Sequence, residues 1–80
     1  MIEKRTVPRH RVLKRGSLAF NGGGAMDCIV RNLSQTGARI EIASPVGVPE
    51  VFTLVIETDH FKRRCHAIWS SERRIGVAFD

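Results

Sequence analysis

Eighty residues make a single domain with a thin core, and a chain this short has little room for a deep catalytic cleft. With 42% apolar and 26% charged residues it is composed like an ordinary folded domain, and no apolar run approaches the roughly 20 residues of a membrane helix. The net charge of +5, concentrated before Gly16 and again between Lys62 and Arg74, favours anionic partners without choosing among them.

Residues 1–10 read as a polar N-terminal arm and 11–80 as the folded body. The opening Met1-Ile2-Glu3-Lys4-Arg5 lacks the apolar stretch of a secretory signal, which points to the cytoplasm. Period-2 alternation dominates from there on, and helix signals are nearly absent. A first strand is predicted over Arg11 to Phe20, with Gly16 at a bulge or bend. Asn21-Gly22-Gly23-Gly24 reads as a hairpin turn, because Asn-Gly readily takes positive φ.

The second strand, Met26 to Leu33, sets Met26, Cys28 and Val30 on one face against Asp27 and Arg31 on the other, with Ile29 the apolar exception. A turn through Ser34 to Gly37 leads to a third, where Ala38, Ile40 and Ile42 alternate with Arg39 and Glu41. Two prolines and a glycine break the chain between Ser44 and Pro49. Phe52, Leu54 and Ile56 mark a fourth strand, ended by Thr58-Asp59; Phe61 to Trp69 gives a fifth, and Ile75, Val77 and Phe79 a sixth. Six short strands joined by tight turns predict an all-β, closed antiparallel barrel, since closure removes the exposed edges of so small a sheet.

Catalytic and metal signals are weak. Cys28 and Cys65 are too few for a disulfide framework or a zinc site, and read as buried, reduced thiols. His10, His60 and His66 fall in separate segments without ligand spacing and with no carboxylate evidently placed to orient one. The Gly22–Gly24 run precedes neither a helix pattern nor a Lys-Ser/Thr pair, which disfavours a phosphate loop, and Ser70-Ser71 carries no nucleophile signature. The chain therefore does not read as an enzyme and calls for no cofactor. Lys62-Arg63-Arg64 and Arg73-Arg74 read as solvated faces. Trp69 suits packing in the core or at the barrel rim, or stacking on a bound base.

Two elements carry more. Arg5 and Arg9 stand four apart with Pro8 between them, two guanidinium forks suited to phosphate or a guanine edge. As a solvated basic tail they would have no such role. Asn32 and Ser34 lie two apart and so share a side of an extended segment, ahead of Gly37, where backbone can approach a ligand closely. The competing reading is a turn whose side chains satisfy their own backbone.

Arg5-Thr6-Val7-Pro8-Arg9 before the first strand and Asn32-Leu33-Ser34-Gln35-Thr36-Gly37 between the second and third resemble the Arg-x-x-x-Arg and (Asp/Asn)-x-Ser-x-x-Gly motifs of the PilZ domain family. Ala67-Ile68-Trp69 followed by Ile75-Gly76-Val77-Ala78-Phe79 is similar to the closing hairpin of such domains. The resemblance implies a six-stranded barrel that binds cyclic di-GMP, the bacterial second messenger, and signals through a protein effector as a monomer or dimer. It implies that Arg5 and Arg9 meet guanine and phosphate groups while Asn32, Ser34 and Gly37 contact a guanine. Lys4, His10 and Trp69 are expected as secondary contacts, and ligand binding is expected to order residues 1–10. Two alternatives stand beside this: a PilZ-like barrel that acts by protein contacts alone, and a small basic RNA- or DNA-binding barrel. The second is disfavoured by only four Phe, one Trp and no Tyr, with the phenylalanines mostly at inward positions.

Overall fold

Strands with one apolar face must cover it. In the computed structural model, which describes residues 10–44 and 47–80, six antiparallel strands do so by closing on themselves. They are β1 (His10–Ala19), β2 (Ala25–Leu33), β3 (Gly37–Glu41), β4 (Val51–Ile56), β5 (Phe61–Ser71) and β6 (Arg74–Phe79), in the order β1-β2-β3-β6-β5-β4 around the barrel. The predicted all-β barrel is the observed fold. Strand ends differ by a residue or two, and a 3₁₀ turn at Glu57–Asp59 joins β4 to β5. His10, read from the sequence as part of the arm, opens β1.

Alternation fills the interior as expected. Phe52, Leu54 and Ile56 of β4 are buried, as are Cys28 and Val30 of β2, Ile40 of β3, Cys65 of β5 and Ile75 and Val77 of β6. Phe20, Phe61 and Phe79 pack against that cluster, with the rings of Phe61 and Phe79 tilted 56° at 5.5 Å. Both cysteines are free and buried.

Three details depart from simple alternation. In the first hairpin the positive φ falls on Gly23 (φ 100) and not on Asn21 or Gly22, because the Phe20 carbonyl accepts from Gly23 N–H at 3.0 Å in a turn that ends in a glycine. Gly16 is not itself a bulge; a Cβ there would stand 2.8 Å from the Val55 carbonyl oxygen, so glycine is what lets β1 pass close to β4. The bulge in β1 lies upstream, between Arg11 and Lys14. Beyond it Lys14 pairs with inward-facing Val30 and carries its ammonium out to Asp59, 2.7 Å away. That hydrogen bond holds the exposed Asp59 carboxyl below its ordinary range.

Two outcomes follow from this core. Phe52→Ala removes the largest fully buried side chain and should cost about 3–5 kcal/mol. Against a domain stability of about 5–15 kcal/mol, that is a large drop in urea midpoint at unchanged denaturant slope. Burial pushes both thiols up to about 11, helped at Cys28 by the charge of Asp27 and by Cys65. At Cys65 a backbone hydrogen bond from Leu54 works the other way, and the charge of Asp80 adds to burial. Their folded pKa values lie above the unfolded value of about 8.5. The stability the two thiols contribute is therefore complete below that pH and lost as pH rises through about 11. Urea midpoints should fall across this alkaline window, and a Cys28→Val/Cys65→Val variant should show a shallower fall.

Candidate ligand-binding face

Three bulges gather at one level of the barrel, and they decide what its outer surface presents. Relative to β3, β2 carries Arg31 as an extra residue between Val30 and Asn32. Relative to β6, β5 carries Ile68 as an extra residue between Ala67 and Trp69. The third is the bulge in β1 opposite Arg31. Each inserted residue reverses the alternation beyond it. Without them Asn32 and Trp69 would share the inward parity of Val30 and Ala67. With them, Asn32 pairs with Arg39, Arg39 with Gly76 and Gly76 with Trp69, a row on the outer face crossing β2, β3, β6 and β5.

Asn32 is buried but not idle. With the amide oriented as its neighbours require, nitrogen toward a carbonyl and oxygen toward a guanidinium, Nδ2 donates to the Arg31 carbonyl at 3.2 Å and Oδ1 accepts from Arg39 Nε at 3.2 Å and Nη2 at 3.1 Å. The Ser34 hydroxyl is committed to its turn: it accepts from Thr36 N–H and Gly37 N–H, both at 3.2 Å, and donates to the Gly37 carbonyl at 3.2 Å. The Ser34 N–H closes the same turn onto that carbonyl at 2.9 Å. This is the self-satisfying turn that the sequence left open as an alternative. Gly37 does not have the positive φ its position in a turn would suggest. Instead, a Cβ there would run into the Val77 carbonyl oxygen of β6, so the glycine serves the spacing of two strands.

Gly76 plays the matching part on β6. The Trp69 indole lies across it, in the space any side chain would need, and remains 45% exposed beside Ile68 at 64%. Between Trp69 and the Ser34 turn lies a cavity of about 330 Å³ lined by Asn32, Ser34, Gly37, Arg39, Ile68 and Trp69 among others. That is the low end for a small-molecule site, enough for part of a ligand. A larger groove of about 930 Å³ lies elsewhere, flanked by Arg15, Arg73 and Arg74 and by Asp27, Glu41 and Glu72. Its lining carries both signs of charge, and Glu41 already faces Arg31 and Arg74 at 3.7 Å each, so it offers no field of one sign to an ion.

The structure thus brings Asn32, Ser34, Gly37 and Trp69 to one face. Lys4, Arg5 and Arg9 lie outside the described residues, while His10 pairs with Leu33 and Arg11 with Asn32. Sequence reasoning missed Arg39 and Ile68; Arg39 read only as an outward residue of β3, and no local signal marks the bulge that exposes Ile68. It also missed a carboxylate for His66, whose Nδ1 lies 2.7 Å from Asp80 Oδ1 because β5 and β6 pair across their hairpin. Among the described residues no group of His, Cys, Asp and Glu could hold a metal ion, and no helix is long and apolar enough to cross a membrane.

The turn and strand spacing can be tested without ligand. Ser34→Ala leaves two backbone N–H groups to water and should cost about 0.5–2 kcal/mol. Gly37→Ala forces β3 away from β6 and should cost about 1–3 kcal/mol. Thermal melts of the two variants check this, and an unchanged midpoint for Gly37→Ala would show that strand spacing is not what excludes the side chain.

None of the curated proteins matches the chain. The family model for the PilZ domain matches residues 3–80, which takes in both motifs, all six strands and the bulged face between them. A match over essentially the whole length, on a closed six-stranded barrel, makes this chain a member of the PilZ domain family.

Proposed function

We propose that the chain is a receptor for cyclic di-GMP in bacterial second-messenger signalling, without catalytic activity and without a cofactor. One observation carries the reading beyond family membership: β1 enters the barrel with Arg11 opposite Asn32, beside the cavity. Covalent geometry then limits the Cα of Arg9 to about 3.8 Å from that of His10, and that of Arg5 to within about 18 Å. That tether allows both arginines to reach the cavity. A nucleotide base set against Trp69 and Ile68, near the Asn32-Ser34-Gly37 turn, would leave its phosphates toward the entering chain. Lys4 and His10 lie on that segment and would add secondary contacts. A ligand held between arm and barrel orders residues 1–10 and reshapes the surface around the cavity, which a partner protein can read. The working compartment is the cytoplasm, and assembly as monomer or dimer follows from how many nucleotides the face takes.

A second reading is favoured by one observation. Asn32 and Ser34 already have partners within the fold, so the same motif would arise in a barrel that binds no nucleotide and acts through protein contacts alone. The nucleic-acid alternative has less support, since among the described residues Trp69 is the one exposed aromatic.

Calorimetric titration with cyclic di-GMP, with GMP as control, separates the two. Saturable binding of the cyclic dinucleotide alone is expected, abolished by Arg5→Ala/Arg9→Ala, with backbone amides 2–12 gaining protection from hydrogen exchange. A flat trace from folded protein would sink the receptor reading in favour of the protein-contact one.

A further inference from the structure

Among the described residues, Arg39 is the one charged side chain lining the cavity, and its surroundings set it apart. Arg31 and Arg74 both face Glu41. Arg64 faces Asp80 at 3.8 Å, and Arg63 lies 5.0 Å over the Phe79 ring. Arg39 makes no ion pair among the described residues and, unlike the exposed Arg11, Arg15 and Arg73, which also make none, it is half-buried. Its fork is held at Nε and Nη2 by the Asn32 Oδ1, a neutral acceptor. An amide oxygen orients a guanidinium without cancelling its charge, and the remaining N–H donors stay available. An aspartate at position 32 would have formed an ion pair and spent that charge inside the fold. The site is half-buried, against the apolar wall of Ile68 and Trp69, where a charge-assisted hydrogen bond is worth more than in open water.

We infer that Arg39 is an anion subsite of this cavity, a ligand-binding arginine outside both sequence motifs that takes a phosphate oxygen, with Asn32 as the positioning residue that presents it. The inference rests on the receptor reading for the identity of the ligand, but not for the chemistry of the subsite.

The test uses the full chain in two arms. In the first, wild type, Arg39→Gln, Arg39→Lys and Asn32→Ala are titrated with cyclic di-GMP by calorimetry. Loss of the charged fork should weaken binding about 10- to 100-fold in Arg39→Gln. Arg39→Lys should recover part of this, and Asn32→Ala should weaken binding less than Arg39→Gln. In the second arm, the ¹⁵N-detected Arg39 Nε–H resonance of the wild type is followed during separate titrations with cyclic di-GMP and with pyrophosphate. A saturable shift with each is expected, together with faster Nε–H exchange in Asn32→Ala than in wild type. Equal cyclic di-GMP affinity in wild type and Arg39→Gln would overturn the subsite and leave the receptor reading standing. If wild type binds no cyclic di-GMP, the receptor reading falls, and pyrophosphate decides the subsite: a saturating Nε–H shift keeps it, and a static resonance overturns it.

Discussion

The barrel closes on three residue pairs, Ser17, Leu18 and Ala19 of β1 against Val55, Leu54 and Thr53 of β4. Without that seam the sheet would have two open edges, and the buried cluster that runs from Leu18 to Val77 would face water. Glycine at position 16 makes the seam sterically allowed, since any Cβ would press on the Val55 carbonyl. The seam also fixes the candidate site at a distance. Once β1 is pinned at Ala19, its pairing with β2 runs back through one bulge to Arg11 opposite Asn32. The chain therefore enters the barrel beside the candidate site because of a contact at the strand's other end.

The architecture was legible because period-2 patterning survives in the strands that form most of the core. Phe52, Leu54 and Ile56 alternate without interruption, as do Cys28 with Val30 and Ile75 with Val77. The face was not legible, for a physical reason. A bulge adds one residue to one strand and leaves no mark in composition, yet it turns every later side chain to the opposite side. Naive parity from Val30 sends Asn32 inward, and from Ala67 it sends Trp69 inward. The observed register places both outside. Asn32, Ser34, Gly37 and Trp69 were recognisable by motif or by type, but their shared surface, and the place of Arg39 and Ile68 on it, depends on insertions that only the pairing reveals.

The motif residues have structural reasons of their own. Ser34 closes its turn, Gly37 admits the Val77 carbonyl, and Asn32 seats Arg39. Each would be selected by the fold even with no ligand present. A hydroxyl that already accepts two N–H groups and donates to a carbonyl has little left to offer a nucleotide. On the receptor reading, the motif's contribution to recognition is then mainly indirect: it holds the shape of a shallow surface, and other groups supply the attraction. That shifts attention from the amide and hydroxyl toward Arg39 and Trp69, neither of which belongs to the motif.

Charge and apolar surface are graded along the face. Arg11 on β1 and Arg39 on β3 flank Asn32 at one side, and Gly76 with Trp69 and Ile68 forms a flat apolar shelf at the other. A uniform basic patch would attract any polyanion, with its strength set by salt. A gradient instead favours molecules that carry an anionic group and a flat ring in fixed relation, and it penalises those with only one of the two. Free phosphate would find Arg39 but leave Trp69 uncovered, and an uncharged base would do the reverse. On the receptor reading, discrimination for a cyclic dinucleotide arises from satisfying both ends of the row at once while its second half meets the arginines of the entering chain.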